Sequence, residues 1–254
     1  MNTETIHGMA TAHGPFASVY LPPGTDGPDW PVLRRALAAQ NAPQEVLAVL
    51  DDVLRHGRDG RALIVNPSGV LVDCSPAWAP HAPVARLSDL PYLLPLMPKH
   101  AVRVPEAVLV AATGASADDV AAAADRTVFD QFLFESSRPE GPVVQGVARC
   151  TAALREGNAD ALVIAEDALA DRAVWVGGTR RDQVADDHAD LRAVGMPASR
   201  QRADEALPMA ALTIGADVLM AAGDLSLVDG VGVLLRHPLT STHHTAMTYG
   251  GSAY

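Results

Sequence analysis

The chain has 254 residues, of which 48% are apolar, 19% charged and 4% aromatic. This composition excludes a disordered chain, and the length suits one large or two smaller domains with cores built mainly from Ala, Val and Leu. The net charge of -11 disfavours a general nucleic-acid-binding protein, because phosphate binding needs clustered Lys and Arg.

The cysteines and the N-terminus indicate the compartment. Cys74 and Cys150 are far apart, without CxxC spacing, and the N-terminus lacks a basic stretch followed by an apolar run. We therefore expect a reduced, cytoplasmic protein. No apolar window approaches the roughly 20 residues that cross a bilayer, so no membrane association is expected.

The first hundred residues mix strand and helix patterns. ASVYLP (17–22) predicts a strand, and residues 31–55 have helical apolar spacing that Pro43 and the residues before it split into two helices. RALIVNPSGVLVD (61–73) predicts a hairpin around its NPSG turn. The proline-rich residues 75–100 are expected to run over a surface or across a domain face.

From residue 107 onward, helical and strand patterns alternate, which is typical of a layered α/β fold. In chain order, the pattern predicts a strand at 107–113, helices at 118–134 and 142–156, strands at 161–164 and 173–176, a polar helix at 181–194, a helix ending at Gly215, and strands at 216–220 and 228–237. Pro142 is expected in the first turn of its helix and Gly157 at the end of it.

Three segments of this region occur together and in order. They are PVVQGVARCTAALREGNADALVI (142–164), AALTIGADVLM (210–220) and DGVGVLLRH (229–237), with structural glycines at Gly146, Gly157, Gly215, Gly230 and Gly232. This set resembles the C-terminal domain of class I release factors and of their relative Pelota. Among bacterial proteins, the chain looks most like the actinobacterial release-factor-like family that includes the ribosome hibernation factor Balon.

The resemblance implies an α/β protein of two domains. The N-terminal α/β domain would comprise residues 1–101, and the C-terminal domain, an α/β/α sandwich with a mixed sheet, residues 118–240. Residues 102–117 would be a linker or the remnant of the family's middle domain, and residues 241–254 a flexible tail. A complete middle domain is missing from this arrangement.

Release factors carry Gly-Gly-Gln in that middle domain to hydrolyse peptidyl-tRNA. Here Gly177-Gly178 is followed by Thr179 and Gly250-Gly251 by Ser252, so we expect no termination chemistry and no enzyme. The resemblance implies a non-catalytic protein that binds ribosomal RNA or ribosomal proteins, in hibernation or stress.

Arginines are the candidate contacts to RNA or the ribosome. The five candidates are Arg180, Arg181, Arg200, Arg202 and Arg236. Arg180 and Arg181 follow the Gly177-Gly178-Thr179 turn, where backbone N–H groups and two guanidinium groups could meet a phosphate.

Two other functions remain open. The chain could be a scaffold that kept the fold, lost ribosome binding and associates with another protein or with itself, or it could be a small hydrolase with Ser or Cys beside a histidine. Asp182, Asp186, Asp190 and His188 could hold a cation, but a solvated acidic helix face explains their spacing equally well. We predict no metal and no cofactor, since phosphate-binding glycine motifs are absent.

Overall fold

A computed structural model describes residues 8–9, 11–22, 30–55, 60–78, 80, 82–101, 117–138, 141–165, 168–178, 180–193, 195–223 and 225–238. The predicted strand at 107–113, most of the predicted linker and the predicted tail lie outside these residues. Among the helices described, none has the length and apolar character needed to cross a membrane.

The N-terminal part is a four-stranded antiparallel sheet covered by two helices. Its strand order is β3-β2-β1-β4, with β1 (Phe16–Leu21), β2 (Arg61–Asn66), β3 (Gly69–Cys74), β4 (Val84–Ser88), α1 (Trp30–Ala39) and α2 (Gln44–Leu54). Because side chains alternate along a strand, Val19 faces the helices while Phe16 and Tyr20 face the rest of the protein. The predicted strand, helix pair and hairpin are confirmed, and the proline-rich stretch also supplies β4.

The C-terminal part is an α/β/α sandwich around a five-stranded mixed sheet, as predicted. The strand order is β5-β11-β7-β12-β6, in which β5, β11 and β7 are parallel, and β12 and β6 complete the sheet through antiparallel pairing. The elements are β5 (Lys99–Ala101), α3 (Ala117–Ser136), β6 (Val143–Gln145), α4 (Val147–Arg155), β7 (Ala159–Ala165), α6 (Ala203–Thr213), β11 (Asp217–Ala222) and β12 (Val231–Leu235). Helix α3 covers one face of the sheet, and α4 and α6 cover the other.

The two parts share one apolar core. Phe16 and Tyr20 of β1 belong to the same buried cluster as Leu162 of β7 and Met220 of β11. Strand β5 comes from the segment assigned to the N-terminal domain, yet it pairs with β11 in the C-terminal sheet. The N-terminal residues are therefore built into the C-terminal sandwich, while the division of the chain at residue 101 stays a prediction.

The start of the predicted helix at 142–156 is wrong. Residues Val143–Gln145 form β6, which pairs with β12, and α4 begins only at Val147 after Gly146, whose φ is 88°. The two β-branched valines favour the strand once β12 offers a pairing edge. The predicted end is correct, because Gly157 follows the last turn with a φ of 69°.

The predicted polar helix at 181–194 is also mostly wrong. Val184–Ala185 form the short strand β9, and only His188–Arg192 are helical, as α5. Strand β9, β8 (Ala173–Gly177) and β10 (Ala198–Arg202) form a three-stranded antiparallel sheet in the order β10-β8-β9. Burial of Val184 and Ala185 against this sheet outweighs the helical preference of the polar residues around them.

Two glycines explain how the last strand packs. A Cβ atom on Gly232 would lie 2.6 Å from Cζ of Phe132, so the missing side chain lets α3 approach β12. Gly230 has a φ of 70°, and a Cβ atom there would lie 1.9 Å from Cβ of Ala168. Position 230 therefore requires glycine for both its backbone conformation and its packing.

Candidate functional site

Arg181 joins the first described residues to the C-terminal part. Its guanidinium donates to the carbonyl oxygens of Met9, at 2.6 Å, and Ala12, and it lies 5.3 Å from the ring centroid of Phe16. Burial lowers the pKa of Arg181. These contacts are internal to the chain, and a role in RNA binding stays a prediction.

Arg236 holds the ends of two helices. It donates to the carbonyl oxygen of Gly157 at 3.2 Å, after α4, and to those of Ile214 and Gly215 at 3.0 and 3.1 Å, after α6. A cation at these positions complements the negative C-terminal ends of the helix dipoles. Arg236 is exposed, but its donors already have partners in the chain.

Arg180 lies at the rim of a groove of about 690 Å³ that Thr11 and His13 also line. Its guanidinium is bound to the carboxylate of Asp182 at 2.6 Å. Burial acts to raise the pKa of Asp182, but hydrogen bonds led by that from Arg180 outweigh it, so the pKa is lowered.

The turn before Arg180 has few backbone donors left for a phosphate. The N–H of Gly177 donates to the carbonyl oxygen of Gln183, and the N–H of Gly178 donates to that of Pro197. Thr179 lies outside the described residues. The proposed phosphate contact would therefore depend mainly on the part of Arg180 that Asp182 leaves free.

Arg202 belongs to a cluster of charges between the two parts of the protein, which we call the interdomain cluster. It comprises Arg86 and Ser88 of β4, Arg202 at the end of β10, and Asp204 and Glu205 in the first turn of α6. Arg86 lies 2.8 Å and Arg202 2.9 Å from Asp204, and Ser88 donates to Glu205. The cluster fixes β4 to the start of α6.

Glu205 is the least compensated member of the cluster. It is fully buried, and its Oε1 has no hydrogen-bond partner; the nearest guanidinium nitrogens, on Arg86 and Arg202, are 3.8 Å away. Burial raises the pKa of Glu205 above its ordinary value of 4.5, and the hydrogen bond from Ser88 opposes this only in part. The charged form of Glu205 is thus disfavoured in the folded protein.

The substitution Glu205→Gln tests this electrostatic strain. A carboxyl group whose pKa is raised by folding stabilises the protein below its unfolded pKa, and this contribution is lost as the pH rises through the folded pKa. We therefore expect the free energy of unfolding of Glu205→Gln, relative to the wild type, to become more favourable as the pH increases above about 4.5. Urea unfolding at several pH values measures this difference, and a difference that does not change with pH would contradict the assignment.

A second group of side chains lies on the three-stranded sheet, and we call it the Trp175 patch: Trp175, His188, Arg192 and Arg200. The rings of Trp175 and His188 are stacked, with centroids 4.2 Å apart and an interplanar angle of 21°. Arg200 lies directly opposite Trp175 on β10, so both side chains are on the same face of the sheet. Arg192 is four residues after His188 on α5, and hence beside it.

The arginines of the Trp175 patch differ from most others in the described part of the chain. There, most arginines bind a carboxylate or a backbone carbonyl oxygen, as do Arg180, Arg181, Arg202 and Arg236. The exposed arginines without any such contact among the described residues are Arg126, Arg149, Arg192 and Arg200. Two of these four flank the ring stack, so the patch offers cations that are free to bind a partner.

The acidic residues once considered as metal ligands have separate roles. Asp182 binds Arg180, Asp190 lies 3.5 Å from Arg155, and the ring of His188 is stacked on Trp175. Within the described ranges, no group of three or more potential ligands could hold a metal ion.

The two thiols are poorly suited to nucleophilic attack. Burial raises the pKa of Cys150 to about 12, and burial also raises the pKa of Cys74. A thiolate is the reactive form, so both cysteines are mostly unreactive at neutral pH. No hydrogen bond joins a Ser or Cys to a His side chain between residues that the structure describes.

Sequence reasoning selected Arg200 but missed its neighbours. Trp175 lies between the buried Val174 and Val176, and this alternation could have placed its side chain on the opposite face of the strand. His188 and Arg192 had no usable signal, because the segment was predicted as one longer polar helix. The interdomain cluster was missed because it joins residues more than a hundred positions apart.

Comparison with known proteins gives remote similarities. No known protein-family profile matches the chain. Two Mycobacterium tuberculosis proteins, the uncharacterized proteins Rv2629 (strain H37Rv) and MT2704 (strain CDC 1551), are each 26% identical over 370 residues, covering 95% of this chain and 98% of the relative. The alignment is longer than this chain by 116 residues (370 − 254), so both relatives contain long segments without a counterpart here.

Two solved structures of translation factors overlap with the chain. One is Dom34 of S. cerevisiae, a translation termination-like factor, at 16% identity and a TM-score of 0.29, over 49% of this chain and 30% of Dom34. The other is the archaeal translation termination factor aRF1, at 12% identity and a TM-score of 0.29, over 92% of this chain and 96% of aRF1.

Proposed function

We propose that this protein is a non-catalytic, cytoplasmic member of the release-factor-like family that associates with the ribosome. The Trp175 patch is the observation that favours this function most. It combines a ring stack with two arginines that have no partner in the described chain. The ordered resemblance of residues 142–164, 210–220 and 229–237 to release-factor C-terminal domains supports the choice of the ribosome as the partner.

The proposal includes the absence of a middle domain and a role in hibernation or stress. The long segments that both mycobacterial relatives have in excess of this chain support the first part. The lack of a Gly-Gly-Gln sequence in the chain supports a binding role without peptidyl-tRNA hydrolysis. The stress role follows from the resemblance to the family of Balon.

Sedimentation tests the proposal. The tagged protein is followed through sucrose gradients of lysates from growing and from starved cells, and we expect it in the ribosomal fractions, with a larger share after starvation. Its consistent absence from these fractions in both conditions would overturn the proposal.

A pair of charge-reversed variants tests the surface. Arg192→Glu/Arg200→Glu should remove most of the protein from the ribosomal fractions, because two cations of the patch become anions. The control Arg126→Glu/Arg149→Glu changes the net charge equally on exposed positions of α3 and α4, and should still sediment with ribosomes. Equal behaviour of both variants would mean that another surface binds.

A further inference from the structure

We infer that the Trp175 patch binds unpaired nucleotides of RNA, with a base stacked on the two rings of Trp175 and His188 and the flanking phosphates on Arg192 and Arg200. This inference rests on the proposed function and names the chemistry of the contact. It requires a base whose face is free, which a loop, bulge or single strand offers and a continuous duplex does not.

The ring stack provides a platform of suitable shape. Trp175 and His188 are both half-buried, and their planes are nearly parallel. The indole N–H of Trp175 has no hydrogen-bond partner among the described residues, so a donor remains at the edge of the platform. Aromatic rings stack on any base, because every base has a π face.

The charges beside the platform favour a backbone of phosphates. Arg192 and Arg200 are exposed and lack ion pairs in the described part of the chain. Of the nearby carboxylates, Asp187 accepts a hydrogen bond from the N–H of Ala189, and Asp190 lies next to Arg155. Asp186 is exposed, and its charge acts against phosphate binding.

The surroundings of the patch fit RNA better than a protein partner. Hot spots in protein interfaces are large side chains surrounded by contacts that exclude water. The exposed large apolar side chains of the described chain are Val32, Val70, Phe134 and Val228, and none of them belongs to β8, β9, β10 or α5. The platform therefore has a polar, charged rim.

Fluorescence of a single tryptophan tests the inference directly. The chain has three tryptophans, so Trp30→Phe/Trp78→Phe retains Trp175 alone. We expect a single-stranded oligoadenylate of about eight nucleotides to quench this fluorescence. A duplex RNA of the same length should quench it much less. No quenching by the single strand, or equal quenching by the duplex, would overturn the inference.

The salt dependence of binding identifies the phosphate contacts. Two contacts on a single strand predict a slope of about −1.4 for the logarithm of the affinity against the logarithm of the salt concentration. Arg200→Gln should reduce this slope to about −0.7, whereas the exposed Arg126→Gln should leave it unchanged. Asp186→Asn should tighten binding, and a slope that Arg200→Gln does not change would contradict the inference.

The stacking contact has its own variants. In the protein with all its other tryptophans, Trp175→Ala should weaken oligonucleotide binding by about tenfold or more, and Trp175→Phe should retain most of it. Circular dichroism of both variants checks that the fold is intact, and if Trp175→Ala unfolds, Arg192→Gln/Arg200→Gln replaces it. Equal affinity of these variants and the wild type would overturn the inference.

Failure of the inference and failure of the proposed function can be told apart. If Trp175→Phe/Arg192→Gln/Arg200→Gln sediments with ribosomes like the wild type and binds the oligonucleotide equally well, the proposed function stands and the inference is wrong. If the patch variants leave the ribosome but the wild type does not bind the oligonucleotide, the patch contacts a ribosomal protein, and the inference is again wrong. If the wild type binds the oligonucleotide through the patch but never sediments with ribosomes, the proposed function fails while the nucleotide contact holds.

Discussion

Gly230→Ala is expected to lower the free energy of unfolding by about 3 kcal/mol. The φ of 70° costs a residue with a Cβ atom about 1 kcal/mol or somewhat more. In addition, the new methyl group would lie 1.9 Å from Cβ of Ala168, and relieving such overpacking typically costs about 1–3 kcal/mol. The midpoint of urea unfolding should fall without a change in the slope of the transition.

Gly215→Ala provides a matched control for this change. Gly215 has a φ of 71°, nearly the same as Gly230, but a Cβ atom there would meet nothing within 4 Å. It should therefore cost only the conformational part, about 1 kcal/mol. If both variants lose the same stability, the contact with Ala168 does not limit position 230.

Arg86→Met is expected to cost about 3 kcal/mol of unfolding free energy. The substitution leaves Asp204 and Glu205, which are 2% and 0% exposed, with Arg202 as the remaining cation of the interdomain cluster. Removing one partner of a buried charge pair usually costs about 3–5 kcal/mol, and the partial exposure of Arg86 places the effect at the lower end. The guanidinium also lies 3.9 Å from the ring centroid of Tyr92, and this contact is lost as well.

Two further variants separate the causes. Arg34→Met removes the same kind of side chain from the half-exposed pair with Asp51 and should cost less than about 1 kcal/mol. Combining Arg86→Met with Glu205→Gln should recover part of the loss, because one uncompensated buried charge disappears. If Arg86→Met costs no more than Arg34→Met, the interdomain cluster contributes little to stability.

The sequence predicted elements well where the apolar pattern is determined by one sheet or helix. The alternation in β1 and β2 and the continuous apolar run of β7 each have one dominant pattern, and the structure follows it. Boundaries failed where tertiary pairing decides. Val143 and Val144 follow a proline and suit a helix start, but the free edge of β12 draws them into a strand.

The candidate site was only partly predictable for a related reason. An arginine pair in a polar turn is easy to find in a sequence, but the sequence does not reveal which carboxylate or carbonyl oxygen each guanidinium binds. Arg181 turns toward Met9 and Ala12, which are about 170 positions away in the chain. Arg200 differs from Arg202 only in its surroundings, since Asp204 and Ala170 engage the latter.

Strand β5 and helix α3 have a consequence for how this architecture can change in evolution. The ring of His100 on β5 lies 5.3 Å from that of Phe129 on α3, so the elements on either side of residues 102–116 are in contact with each other. A segment placed between two anchored neighbours enters and leaves the fold at nearly the same place, and its length affects the closure entropy only slowly. A whole domain could therefore be gained or deleted at this junction as a single event, without new packing in either sheet.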